Sequence, residues 1–279
     1  MEKILLAIDA VKINMPALDF ACYLGRLTNS RVTGVFLENL VADEKAVLTT
    51  AYGKPYDNRE IDESAPGWVD KRELIERNIR QFKKACKDRS VRYNMHRDRG
   101  VPADEIISES RYADLIVVDA ATSFGKGYEG MPAQFAKHIF KEAECPVIVA
   151  PLHFTQIDEI IFTYDNSKSS AFAIKQFTYL FPEFDDRKAI VLQINDLGVW
   201  ADPDKYNLRE WLQNRYSVIG FEALKSDSED VFIEYLLKKK NAFVVMGAYG
   251  RNALSMFFKP SHANVLMESI DHPIFISHY

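Results

Sequence analysis

The chain has 279 residues, 47% of them hydrophobic and 27% charged, and a net charge of −5. Its length exceeds the roughly 100–150 residues of one ordinary domain, its acidity excludes a broad basic face for nucleic acid, and no apolar run reaches the roughly 18 residues that would span a membrane. The three cysteines (Cys22, Cys86, Cys145) lack the spacing of a zinc site or disulfide framework and the opening residues lack a secretory leader, so a cytoplasmic setting is expected.

Residues 3–8 are a short apolar run ending in Asp9, the pattern of a buried strand with a carboxylate at its carboxyl end. A helix follows, with Pro16 in its first turn and Ala17, Leu18, Ala21, Cys22, Leu24 and Leu27 at helical spacing. A second strand is expected over 31–37. The stretch 38–68 is polar and broken by Gly53, Pro55, Pro66 and Gly67. Helical periodicity returns over 69–88 (Leu74, Ile75, Ile79, Phe82), followed by a strand at 90–95, a helix at 102–112, a strand at 115–118, a helix at 132–144 and a strand at 147–150. Residues 151–158 read as a linker. Further strands are expected at 159–164, 189–195, near 218–224, at 243–246 and at 274–277. Strands alternating with helices imply parallel sheet covered on both faces.

The second series repeats the first. Residues 113–118 (ADLIVV) correspond to 241–246 (NAFVVM), 145–150 (CPVIVA) to 272–277 (HPIFIS), and the run from Ile4 to Asp9 to the run from Ile160 to Asp165. A repeat this long means two similar domains, residues 1–151 and 158–279, because solenoid units are only roughly 20–50 residues long. The second is shorter, and the difference falls in its middle, so the segment near 38–68 reads as an insertion in the first.

Loops at the carboxyl ends of parallel strands are where such folds bind ligands. After the strand at 243–246 come Gly247, Ala248, Tyr249, Gly250 and Arg251, then Lys259, Pro260 and Ser261 ahead of a helix expected from His262 to Ile270. Two glycines three apart permit a tight turn and close approach of backbone amides to an anion, though glycine after a buried strand is also simply a turn. Ser261 is a suitable helix N-cap, and the helix behind it would point its positive end at a phosphate, with His262 in its first turn. Asp165 can accept from a ribose hydroxyl or an adenine amine, or hold magnesium through water; the competing reading of Asp165, and of Asp9, is a helix N-cap, with Asn166, Ser167 and Ser169 equally suitable caps ahead of the helical pattern at 171–179.

These residues give the whole chain a resemblance to the universal stress proteins, in the form that fuses two UspA-like domains. The strand-plus-aspartate openings at 4–9 and 160–165 are similar to the family's, as are the proline-led final strands. Gly247 and Gly250, then Pro260 and Ser261, are similar to its nucleotide motif G-x2-G-x9-G-[ST], with Pro260 in place of the third glycine. The resemblance implies two Rossmann-like domains of the adenine nucleotide alpha hydrolase type, each a five-stranded parallel sheet with helices on both faces. It implies a stress-response regulatory or protective module that binds ATP, with magnesium, or another adenine nucleotide. Asp165, Gly247, Gly250, Arg251, Ser261 and His262 are the residues implied to bind it. In the first domain Asp119 and Thr122 replace the motif glycines and Pro132 and Ala133 stand where Pro260 and Ser261 do, so that half is expected to bind no nucleotide in the family's manner. The resemblance also implies pairing through last strands, 147–150 against 274–277, as an intramolecular pseudo-dimer, with a homodimer the other arrangement.

No catalytic constellation stands out. The six histidines have no metal-ligand spacing and no serine sits in a nucleophile elbow. The expectation is a binding protein and not an enzyme, with neither nucleic acid nor membrane as partner. The alternatives are a scaffold that binds no nucleotide and acts through protein partners, and a slow nucleotide hydrolase.

Overall fold

The computed structural model describes residues 1–39, 49–51, 54–56, 66–125, 129–200, 202–226, 230–248 and 271–277. In the first half, β1 (Lys3–Asp9), α1 (Met15–Leu27), β2 (Arg31–Asn39), a small antiparallel pair β3 (Thr49–Ala51) and β4 (Lys54–Tyr56), α2 (Pro66–Asp88), β5 (Tyr93–Gly100), α3 (Pro102–Ser110), β6 (Leu115–Val118), α4 (Gln134–Glu142) and β7 (Val147–Val149) follow in order. The second half contributes β8 (Glu159–Thr163), α5 (Lys168–Leu180), a 3-10 turn (Pro182–Phe184), β9 (Lys188–Asn195), α6 (Asp202–Leu212), β10 (Ile219–Lys225), α7 (Val231–Leu237), β11 (Ala242–Gly247) and β12 (Ile274–Ser277).

Ten strands form one sheet in the order β10-β9-β8-β11-β12-β7-β6-β1-β2-β5. Within each half the five strands are parallel and in the same order, the first strand lying between the second and the fourth. The halves meet where β12 pairs antiparallel with β7, Ile274 opposite Val149 and Ile276 opposite Val147. The doubly wound architecture expected from the alternation of strands and helices is therefore present twice.

The central strands are apolar throughout because both of their faces are covered. In β1, Ile4, Leu6 and Ile8 point into one core layer, with Leu18 of α1, Phe82 of α2 and Phe177 of α5; Leu5 and Ala7 point into the other, with Ile106 of α3, Ile139 of α4 and Phe232 of α7. Each layer runs across the seam between the halves. Phe20 of α1 stands edge-on to Phe154 at 5.1 Å and to Phe243 of β11 at 6.3 Å. Gly34 of β2 leaves room for Phe82, whose ring would lie 2.8 Å from an added Cβ.

Three boundaries differ from expectation. The third strand was expected at 90–95 but runs from Tyr93 to Gly100, because Ser90 turns the chain in a left-handed conformation (φ 57°) after α2. At the sheet edge this strand carries His96, Arg97, Asp98 and Arg99, a polar pattern that reads as loop; charge on an edge strand also discourages pairing with another chain. Pro132 lies outside α4, in the turn before it. The length difference between the halves is not confined to 38–68 either, since α2 has 23 residues and its counterpart α6 has 11.

Candidate functional site

In each half the chain leaves the first strand to one side of the sheet and returns to the other, so a crevice opens between the carboxyl ends of strands one and four, the place where open α/β sheets take ligands. In the first half this crevice lies between β1 and β6. Asp9 ends β1 and its Oδ1 accepts from the Val11 amide at 3.0 Å. Burial raises its carboxyl above the ordinary range, against the opposing pull of the Val11 N–H, Lys12 and Lys71. Asn14 caps α1, its Oδ1 accepting from the Ala17 amide at 2.9 Å, and its Nδ2 donates to Asp119 Oδ2 at 2.7 Å. Asp119 also accepts from the Ala121 amide at 3.1 Å. Glu129 takes over the capping of α4, accepting from the Gln134 amide at 3.1 Å where Ala133 has no side-chain oxygen to offer. A cavity of about 660 Å³ opens among Asp9, Lys12, Asn14, Asp119, Ser123 and Glu129.

The second half builds the same corner with different groups. Asp165 follows β8, and its Oδ1 accepts from the Ser167 amide at 3.1 Å. Ser167 is the N-cap of α5, accepting from the Ser170 amide at 3.0 Å. The N-cap reading of Asp9 and Asp165 is thus corrected. Each aspartate folds the loop two residues ahead of it, and the caps are Asn14 and Ser167. The turn at Asn166 is left-handed (φ 64°), and its Oδ1 accepts from the Tyr164 hydroxyl at 3.1 Å. Tyr164 stacks on Trp200 with centroids 5.8 Å apart and planes 12° from parallel, and the indole is fixed by donation from Nε1 to the Glu222 carbonyl at 2.7 Å.

Gly247 ends β11, the parallel neighbour of β8, where Phe162 lies opposite Val245. An added Cβ at Gly247 would stand 2.6 Å from the carbonyl carbon and from the hydroxyl of Ser169, in the first turn of α5. The glycine is required by that helix contact whether or not a ligand is present. Of the six residues named from sequence, Asp165 and Gly247 come together at one end of adjacent strands; Gly250, Arg251, Ser261 and His262 lie outside the described residues. Ser167 was among the capping residues read from sequence and is the one that caps α5, whereas Asn14, Glu129 and Trp200 were not singled out. Asn14 is recognisable afterwards as a capping residue just ahead of an apolar helical pattern, whereas nothing local marks Glu129, which acts from five residues upstream. Among the described residues no group of three or more histidine, cysteine or carboxylate side chains is placed to hold a metal ion, and none of the helices is long and apolar enough to cross a membrane.

No family model matches the sequence, and no curated protein matches it. Solved structures do. A universal stress protein from Archaeoglobus fulgidus DSM 4304 superposes over 99% of this chain and 98% of its own, with a TM-score of 0.66 at 12% identity. This chain has the universal stress protein fold. A proposed universal stress protein from Pseudomonas aeruginosa UCBPP-PA14 and a protein of unknown function from Pseudomonas aeruginosa PAO1 also match over the whole chain, covering 93% and 92% of theirs, each with a TM-score of 0.52 at 14% identity. The likeness to the Archaeoglobus universal stress protein spans both halves, so the tandem arrangement is shared along with the single five-stranded unit.

Proposed function

We propose that this chain is a tandem universal stress protein acting as a cytoplasmic regulatory or protective module, and that its second half binds ATP with magnesium, or another adenine nucleotide, without turning it over. The observation that carries the reading is the placement of Asp165, just after β8, and Gly247, at the end of the adjacent parallel strand β11, at the same end of the sheet beside the N-terminus of α5. In this reading Asp165 takes a ribose hydroxyl, an adenine amine or a magnesium-bound water. Gly247, Gly250, Arg251, Ser261 and His262 then hold the phosphates.

The first half does not fit a triphosphate. Its crevice presents Asp9, Asp119 and Glu129 against Lys12, and an anion placed there meets like charge. Nucleotide binding is therefore expected at one site per chain.

The second reading, a scaffold that binds no nucleotide and works through protein partners, is favoured by one observation: packing against Ser169 is by itself sufficient reason for Gly247. Isothermal titration with magnesium and ATP, beside a Gly250→Asp variant, separates the two. Saturable binding near one site per chain that is lost in the variant supports the nucleotide reading. Absence of heat, with no thermal stabilisation by excess nucleotide, refutes it and leaves the scaffold.

A further inference from the structure

Cys22 on α1 and Cys86 on α2 face each other inside the first half, their sulfurs 3.8 Å apart although 64 positions separate them in the chain. Both are almost wholly buried, at 1% and 0% exposure. Two further bonds tie α2, on either side of Cys86, to the chain ahead of Cys22. Asn78 Nδ2 donates to the Ala10 carbonyl at 2.9 Å near the start of α1, and Arg89 donates to Asp19 Oδ1 at 2.6 Å just beyond the end of α2. Bonded sulfurs lie about 2.0 Å apart, so rotation about the two Cα–Cβ bonds with a small approach of the helices brings the pair to bonding distance.

We infer that Cys22 and Cys86 are an oxidation site, at which a peroxide converts two facing thiols into an intramolecular disulfide joining α1 to α2. Either sulfur can donate in the hydrogen bond the two share, and the charge of Arg89 favours the thiolate at both. In the first step Cys22 is the attacking thiolate. Its sulfur takes one oxygen of hydrogen peroxide, the O–O bond breaks, and hydroxide leaves. The sulfur of Cys86 then attacks the sulfenic sulfur of Cys22, and the S–O bond breaks. The departing oxygen takes the Cys86 thiol proton and leaves as water, and the proton that Cys22 gave up on ionising turns the hydroxide of the first step into the second water. Overall two thiols and one peroxide give one disulfide and two waters, the protein being oxidised and the peroxide reduced. Peroxide is small and uncharged, suited to entry when α1 and α2 part transiently. The bond would lock α1 to α2 and close a covalent loop that contains β2.

Cys145 supplies an internal control, because it is also buried, though at 8% exposure more open than the pair, and burial pushes its thiol up to about 12. The test uses the full chain, reduced, treated with graded hydrogen peroxide, alkylated and digested without reductant for mass spectrometry. The expected result is a joined pair of peptides carrying Cys22 and Cys86, lighter by two hydrogen atoms, at peroxide levels that leave Cys145 open to alkylation after denaturation. Cys145→Ser should keep the cross-link, and Cys86→Ser should abolish it while leaving a sulfenic acid on Cys22 that dimedone traps. The inference is overturned if Cys22 and Cys86 are recovered alkylated at peroxide levels that oxidise Cys145, or if disulfides form only between chains. Should Cys86→Ser fail to fold by circular dichroism, the peptide maps of the unaltered chain and of Cys145→Ser decide the matter.

Discussion

Replacing Gly247 with alanine isolates the packing role of that glycine. Its backbone is not left-handed, so alanine suffers no conformational strain there and, by narrowing the unfolded ensemble, would gain about 0.4–1 kcal/mol were space available. Space is not available. The new Cβ would lie 2.6 Å from the Ser169 carbonyl carbon and 2.7 Å from its oxygen, where ordinary contact begins at 3.4 Å. The obstructing atoms are backbone, in a helix turn fixed by the Ser167 cap and by Phe177 one face below, so α5 must move as a unit. Overpacking costs about 1–3 kcal/mol, and backbone contacts this short belong in the upper part of that range, about 2–3 kcal/mol, which leaves a net loss of about 1–2.6 kcal/mol. Urea unfolding should show a lower midpoint with an unchanged slope, and the melting temperature should fall by about 2–4 °C per kcal/mol. Gly220→Ala is the matched control, since its Cβ meets nothing nearer than 3.7 Å. Equal stability of the two variants would refute the steric argument and return Gly247 to a purely ligand-binding role.

Phe177 lies at the centre of a ring cluster, 4.9 Å from Phe243, 5.3 Å from Phe275 and 5.0 Å from Phe181, and is fully buried. Phe177→Ala should cost about 3–5 kcal/mol in denaturant unfolding, and a loss below about 1 kcal/mol would show that the cavity collapses. His272 supplies a pH dependence. Burial lowers its imidazole below the ordinary 6.5, against the pull of the Leu236 carbonyl, Asp271 and Glu159. A depressed histidine binds its proton more readily when unfolded, so the stability due to its neutral form is present above pH 6.5 and is lost as pH falls toward the depressed value. The urea midpoint of the unaltered chain should therefore drop through that window more steeply than that of His272→Gln; parallel curves would remove His272 from the account.

The parts legible in the sequence are those whose burial is complete. Strands such as β1, β6 and β11 are short, near-continuous apolar runs, as strands covered on both faces are. The Asp9 and Asp165 corners could be located for the same reason, since a carboxylate that closes an apolar run stands out. What escaped was decided by partners distant in sequence. The edge strand β5 owes its conformation to eight residues of β2 and not to its own composition. Asp119 and Asn14 meet across 105 positions. Asn14 took the cap of α1 from Asp9, and of the four capping residues legible ahead of α5 it was Ser167 and not Asp165 that served, because each aspartate bonds its own loop first. Gly247 was chosen for the right position, but the strength of its steric demand depends on Ser169, which only the folded chain brings beside it.

The antiparallel join of β7 to β12 has a consequence for mass action. A seam between separate subunits loosens on dilution, and each subunit must keep every feature of the unit because both are copies of one sequence. Here the partner strand is supplied by the same chain, so the pairing is independent of protein concentration. The two crevices are also released from identity. One has filled with carboxylates while the other retains its glycine, an inequality that an exactly twofold dimer of identical chains does not permit.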